Sequence, residues 1–251
     1  MEVSVSILDC SDRIEGVRQL NTTNTSYIHI DVMDGEFVAN VQFQDIDEIK
    51  EISRVSKYPL DVHLMVSDPI SYIEKLNNLN IHFITIHLEI EEDAHEIIKR
   101  IHELGYQAGI SIKPNTRIEK LEEYLEEVDM VLVMSVEPGL GGQKFLPETV
   151  DRVNQLKEMI QRLNRRIWIE VDGGINEQII SQLQNVDIVV VGSYVVKSDN
   201  YSQQIDNILK NRTPSNINEM TISNRRNSLE NIFLIGLFLG GLTLFLLIFL
   251  V

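Results

Sequence analysis

MVLVMSVEPGLGGQKFLPETVDRVNQLKEMIQRLNRRIWIEV, residues 130–171, spells out a strand, a loop, a helix and a second strand in one stretch. Met130–Met134 is a short apolar run, of a length that suits a strand buried on both faces. Pro147–Leu163 then sets Val150, Val153, Leu156, Met159, Ile160 and Leu163 on one stripe at helical spacing. Ile167–Val171 is the next strand-like run. Two strands joined through a helix run parallel.

The same alternation extends in both directions. Val3–Ile7, Tyr27–Val32, Leu60–Met65, Phe83–His87, Ala108–Ile112 and Ile188–Val191 are further apolar runs. Amphipathic stretches separate them; Ala94–Leu104, for example, places Ile97, Ile98, Ile101 and Leu104 at 3- and 4-residue steps. Eight strand signals, each followed by a helix or helix-sized segment, predict an α/β fold, a (β/α)8 TIM barrel over residues 1–212. An open doubly wound sheet is the alternative, disfavoured because no GxGxxG turn follows the first strand. The helical pattern is weakest after Val41.

The chain changes character beyond the barrel. Residues 213–231 are rich in Asn and Ser and read as a flexible linker. IFLIGLFLGGLTLFLLIFLV, residues 232–251, carries no charge. At about 1.5 Å rise per residue a helix of this length spans about 30 Å, the thickness of a bilayer core. The expectation is a C-terminal transmembrane tail anchor. Arg225 and Arg226 precede it, which favours a cytoplasmic barrel. A lone cysteine, Cys10, forms no internal disulfide, and Met1–Asp9 lacks the basic start and apolar run of a signal peptide. The net charge of −16 argues against nucleic acid as a partner. A small phosphate remains open, because backbone N–H groups can grip it. A homo-oligomer is compatible with the sequence.

Polar residues gather where strands end: Ser6, His29, Asp31, His63, His87, Lys113, Glu137 and Asp172. Barrels of this kind build their reactive face from strand C-termini. His29 and Asp31, two apart on one strand, share a face. With His63 and Asp172 they offer a donor set for one divalent metal ion, Zn2+, Fe2+, Mn2+ or Co2+. Any one of them alone is more often a satisfied core or rim residue. Gly173 and Gly174 follow the seventh strand, and Gly192 and Ser193 the eighth, where barrels hold phosphate on backbone N–H groups.

SILDCSD (6–12), YIHIDVMDGEFVAN (27–40), DVHLMV (61–66), VLVMSVEPGLGGQKF (131–145), EVDGGI (170–175) and VGSYVV (191–196) resemble, in order, the signature blocks of ribulose-phosphate 3-epimerases. The resemblance covers residues 3 to about 210. It implies that His29, Asp31, His63 and Asp172 hold the metal and that Asp31 and Asp172 are the catalytic acid–base pair, kept low in pKa by the shared cation. It implies substrate contacts from Ser6, His63, Gly139, Leu140, Gly141, Gly142, Gly173, Gly174, Gly192 and Ser193. Residues 139–142 would form a lid, and Met33, Met65 and Met134 a sulfur-lined wall. The implied activity interconverts D-ribulose and D-xylulose 5-phosphates in the pentose phosphate pathway. An allulose-6-phosphate 3-epimerase would keep the same site, a tethered barrel without turnover would not need it, and a metal-assisted hydrolase fits the paired aspartates less well. The chain departs from the family pattern at Asp9-Cys10, Glu36, Ala39, Asn115 and Leu140, and its first helical segment is short. None of these removes a ligand or a carboxylate.

Overall fold

Alternation inside the strands decides which layer each side chain joins. In Met130–Met134, Val131 and Val133 pack outward into the large helix-side core, while Met130, Leu132 and Met134 turn inward with Tyr27, Phe83 and Ile188. Both faces are buried, so the run is continuously apolar. Each fully buried aliphatic side chain there contributes about 1.5–3 kcal/mol.

The structure is a computed structural model that describes residues 1–211. The barrel strands are β1 (Glu2–Ser6), β2 (Tyr27–Asp34), β3 (Leu60–Met65), β4 (Ile81–His87), β5 (Gln107–Ile112), β6 (Met130–Met134), β7 (Trp168–Asp172) and β8 (Ile188–Val191). Each pairs parallel with the next, and β8 pairs with β1, closing an eight-stranded parallel barrel. Val41–Gln42 adds a short antiparallel ribbon to the end of β2. The open doubly wound sheet is thereby excluded.

The helices are α1 (Arg13–Leu20), α2 (Ile46–Val55), α3 (Pro69–Ile73), α4 (Ala94–Glu103), α5 (Thr149–Gln161), α6 (Ser193–Val196) and α7 (Tyr201–Asn211). Asp12, Asp45 and Asp93 cap α1, α2 and α4 by accepting a backbone N–H of the first turn. α5 buries Val153, Leu156 and Ile160 of the predicted stripe. The weak pattern after Val41 is a real helix, α2, burying Ile46, Ile49 and Ile52.

Two crossovers hold only single 3-10 turns, Ile118–Leu121 and Ile180–Gln182. In the second, the Asn176 side chain accepts from the N–H groups of Gln178 and Ile179, capping the turn as the aspartates cap the longer helices. The linker and tail anchor read from residues 213–251 lie outside the described residues. Among the described residues no helix is long and apolar enough to cross a membrane.

Candidate active site

Register brings the inward residues of neighbouring strands level at the barrel's C-terminal mouth. Ser6 pairs with His29, Asp31 with His63, and Met134 with Asp172. One ligating atom from each of His29, Asp31, His63 and Asp172 falls within 4.8 Å of all the others. All four predicted donors therefore meet at one point.

The two imidazoles are oriented from behind. His29 Nδ1 lies 2.7 Å from Asp61 Oδ2, which also accepts from Ser4 Oγ at 2.7 Å. His63 Nε2 lies 2.9 Å from His87 Nε2, and His87 Nδ1 lies 3.1 Å from Glu89 Oε2. Glu89 Oε1 accepts from the Lys113 N–H at 2.8 Å and from the Thr116 hydroxyl.

Those partners fix the protons. Burial raises the Glu89 carboxyl, yet the hydrogen bonds from His87, Thr116 and Lys113 bring it down to about 2, so it only accepts. Burial lowers His87 to about 4, so its ring is neutral. Its one proton goes to Glu89, its Nε2 accepts from His63, and a lone pair is left on His63 Nδ1.

That lone pair and His29 Nε2 are wholly buried and have no hydrogen-bond partner among the described residues. Asp31 Oδ1 lies 3.5 Å from the first and 3.3 Å from the second. Two imidazole nitrogens and a carboxylate oxygen, aimed at one another without a bond between them, are what a divalent cation satisfies. The residues present fit such an ion.

The two aspartates differ electrostatically. Burial pushes Asp31 up, but His29 and His63 hold it well below the carboxylate range, and its Oδ2 accepts from Ser6 Oγ at 2.7 Å. With the protein's own charges alone, burial and then the negative charge of Asp31 raise Asp172 to about 7. Two low carboxylates were expected from a shared cation; without that charge in the balance the pair is pushed apart instead. Burial pushes His29 down, but Asp61 and Asp31 pull it well above its usual value. Beneath them Glu170 is fully buried, and burial followed by the charge of Asp61 pushes its carboxyl well above the usual carboxylate range.

A pocket opens above this floor. Gly139–Gly142, Gly173, Gly174, Gly192 and Ser193 all line it, together with Ser6, Asp31 and Asp172. Met33, Met65 and Met134 form part of its wall. His29 and His63 are buried below. The predicted lid is tied down: Asn40 Nδ2 donates to Gly139 O at 2.7 Å, and Gln143 Nε2 donates to Glu137 O at 2.7 Å and Leu140 O at 2.9 Å. Leu140 at its tip is 64% exposed. Gly174 has φ +63°, and a Cβ there would sit 2.3 Å from Phe145 N, so no other residue fits this junction of lid and phosphate loop. Glu36 is held away from the metal donors, accepting from Ser67 Oγ at 2.9 Å.

Sequence patterning gives no role to Asp61, Glu89 or Glu170, and it marks His87 only as a polar strand end. A signal for Asp61 was present: it is two residues before His63 on one strand, hence on the same inward face. Glu89 lies in a loop and carried no such signal.

A closed parallel barrel that gathers two aspartates and two oriented histidines at its C-terminal mouth places this chain among barrel proteins equipped for acid–base or metal-assisted chemistry. The ribulose-phosphate 3-epimerase family model matches residues 1–196, and the chain belongs to that family. A ribulose-phosphate 3-epimerase of Helicobacter pylori strain J99 is 37% identical, over 85% of this chain and 99% of its own length. One from Aquifex aeolicus is 40% identical, over 66% of this chain and 75% of its own. Among solved structures, 3-hexulose-6-phosphate synthase from Salmonella typhimurium aligns with a TM-score of 0.59 at 17% identity, over 84% of this chain and 98% of that one. At that identity the likeness speaks for the fold alone.

Proposed function

We propose that this chain is a ribulose-phosphate 3-epimerase, interconverting D-ribulose 5-phosphate and D-xylulose 5-phosphate. One observation carries the reading. Asp31 and Asp172 reach a common point from β2 and β7, two strands that are not neighbours in the barrel. Inverting C3 needs one group to remove its proton on one face and another to return a proton on the other face. Asp31, ionised and steadied by Ser6, takes the proton; Asp172 delivers one from across the mouth, and the roles exchange in reverse.

His29, Asp31, His63 and Asp172 would hold one divalent ion, Zn2+, Fe2+, Mn2+ or Co2+. When bound, it supplies positive charge that stabilises the enediolate developing at C2–C3. Gly173, Gly174, Gly192 and Ser193 would offer backbone N–H groups to the phosphate, while Gly139–Gly142 exclude water above the sugar.

Residues 213–231 would tether the barrel to a bilayer anchor at 232–251, with the catalytic domain on the cytoplasmic side. The uncharged length of that tail and the arginines before it support this placement.

Proton exchange and epimerisation of D-ribulose 5-phosphate, with and without added divalent metal, test the function. Metal-dependent formation of xylulose 5-phosphate supports it. A folded, metal-loaded protein that turns over only a six-carbon ketose phosphate would replace the substrate; turnover of neither would remove the enzymatic reading.

A further inference from the structure

Among the described residues, the charge on the pocket lining is of one sign. Asp9, Asp31, Glu137 and Asp172 line the pocket, and no lysine or arginine does. A phosphate monoester brings nearly two more negative charges at neutral pH. The glycine loops answer it with partial charges only.

A cation does stand beside the glycine loops. Lys197 lines a shallow depression together with Gly142, Gly174 and Ser193, residues that also line the pocket. Its Nζ is 2.8 Å from Asp9 Oδ2, and the two side chains are 57% and 25% exposed. Asp9 in turn lies against the lid, where a Cβ on Gly141 would come within 2.8 Å of the same Oδ2. Asp9 is also one of the positions at which the sequence leaves the family pattern.

We propose that Lys197 is the phosphate-binding cation of this barrel, resting on Asp9 and passing to the phosphate when a ketose phosphate enters. An exposed ion pair is weakly held. A phosphate dianion offers the ammonium a stronger partner than a carboxylate does, and the four-carbon stem lets it swing. Asp9, pressed against Gly141, links the exchange to the lid. The inference rests on the ketose-phosphate reading above.

The test uses the full, metal-loaded chain with D-ribulose 5-phosphate as substrate and inorganic phosphate as competitive inhibitor. In Lys197→Met, KM and the inhibition constant of phosphate should both rise about tenfold, with kcat within about twofold. Lys197→Arg should restore both, and Asp9→Asn should lower both by removing the competing carboxylate. Unchanged KM and inhibition constant in Lys197→Met, or a loss confined to kcat, would overturn the assignment. Absence of turnover in the unaltered protein would instead sink the substrate reading. Calorimetric titration of inorganic phosphate into the unaltered and Lys197→Met chains then decides the role of Lys197: equal affinities overturn it, and weaker binding to the variant upholds it.

Discussion

The Nε2 atoms of His63 and His87 lie 2.9 Å apart, with both rings wholly buried. One of them must donate and the other accept, and Glu89 on the far side of His87 decides which. A carboxylate in the loop after β4 thereby sets the protonation of a ring at the barrel's centre.

Breaking this relay should weaken the metal site. His87→Phe removes the acceptor for His63 Nε2–H and frees the ring to turn. Affinity for Zn2+ or Co2+ should fall about 10- to 100-fold, the usual effect of losing a hydrogen-bond partner behind a ligand. Competition with a chromophoric chelator measures it; unaltered affinity would show that His63 needs no such support.

Asp31 and Asp172 should separate by isotope exchange. Asp31→Asn should stop washout of the C3 hydrogen from D-ribulose 5-phosphate into deuterated water. Asp172→Asn should retain that exchange while net epimerisation falls on the order of 10²- to 10⁴-fold. Both can be followed by proton NMR, and exchange persisting in Asp31→Asn would assign the base elsewhere.

Metal uptake should depend on pH with a definite sign. Asp172 is raised to about 7 and His29 above its usual value, so lowering the pH through 7 adds protons that a cation must displace. Apparent affinity should rise at least about tenfold per pH unit between 5.5 and 7, and flatten as these groups lose their protons. Co2+ titrations at stepped pH give the slope; a flat profile would mean that the protons are not there.

Removing residues 213–251 should leave a water-soluble, active barrel, while the full chain partitions into membranes. Fractionation of cells expressing each form distinguishes them. Full-length protein in the soluble fraction would remove the anchor, and an inactive shortened chain would tie the tail to the barrel instead.

Much of the fold is legible in local periods along the chain. Runs such as Met130–Met134 and the stripe of α5 obey simple periods, and periodicity is a local property. The crossovers after β5 and β7 were less legible: single 3-10 turns leave too few residues to show a 3.6-residue period. The metal donors could be nominated because strand ends share one rim in a barrel. Of their partners, Asp61 and Glu170 each stand two residues before a donor on the same strand and so share its face, whereas Glu89 is an ordinary loop carboxylate until the barrel closes around it.

The sequence by itself determined which side chains face inward, because a strand alternates with a period of two whatever surrounds it, and so it set His29, Asp31 and His63 on one surface. Only the tertiary structure decided what those groups are. Closure of β8 onto β1 buries them away from water and brings Asp172 across the mouth from Asp31. Proton affinity depends on distance, burial and neighbouring charge, so a carboxylate near 7 and a histidine obliged to present a lone pair exist only once the chain has folded.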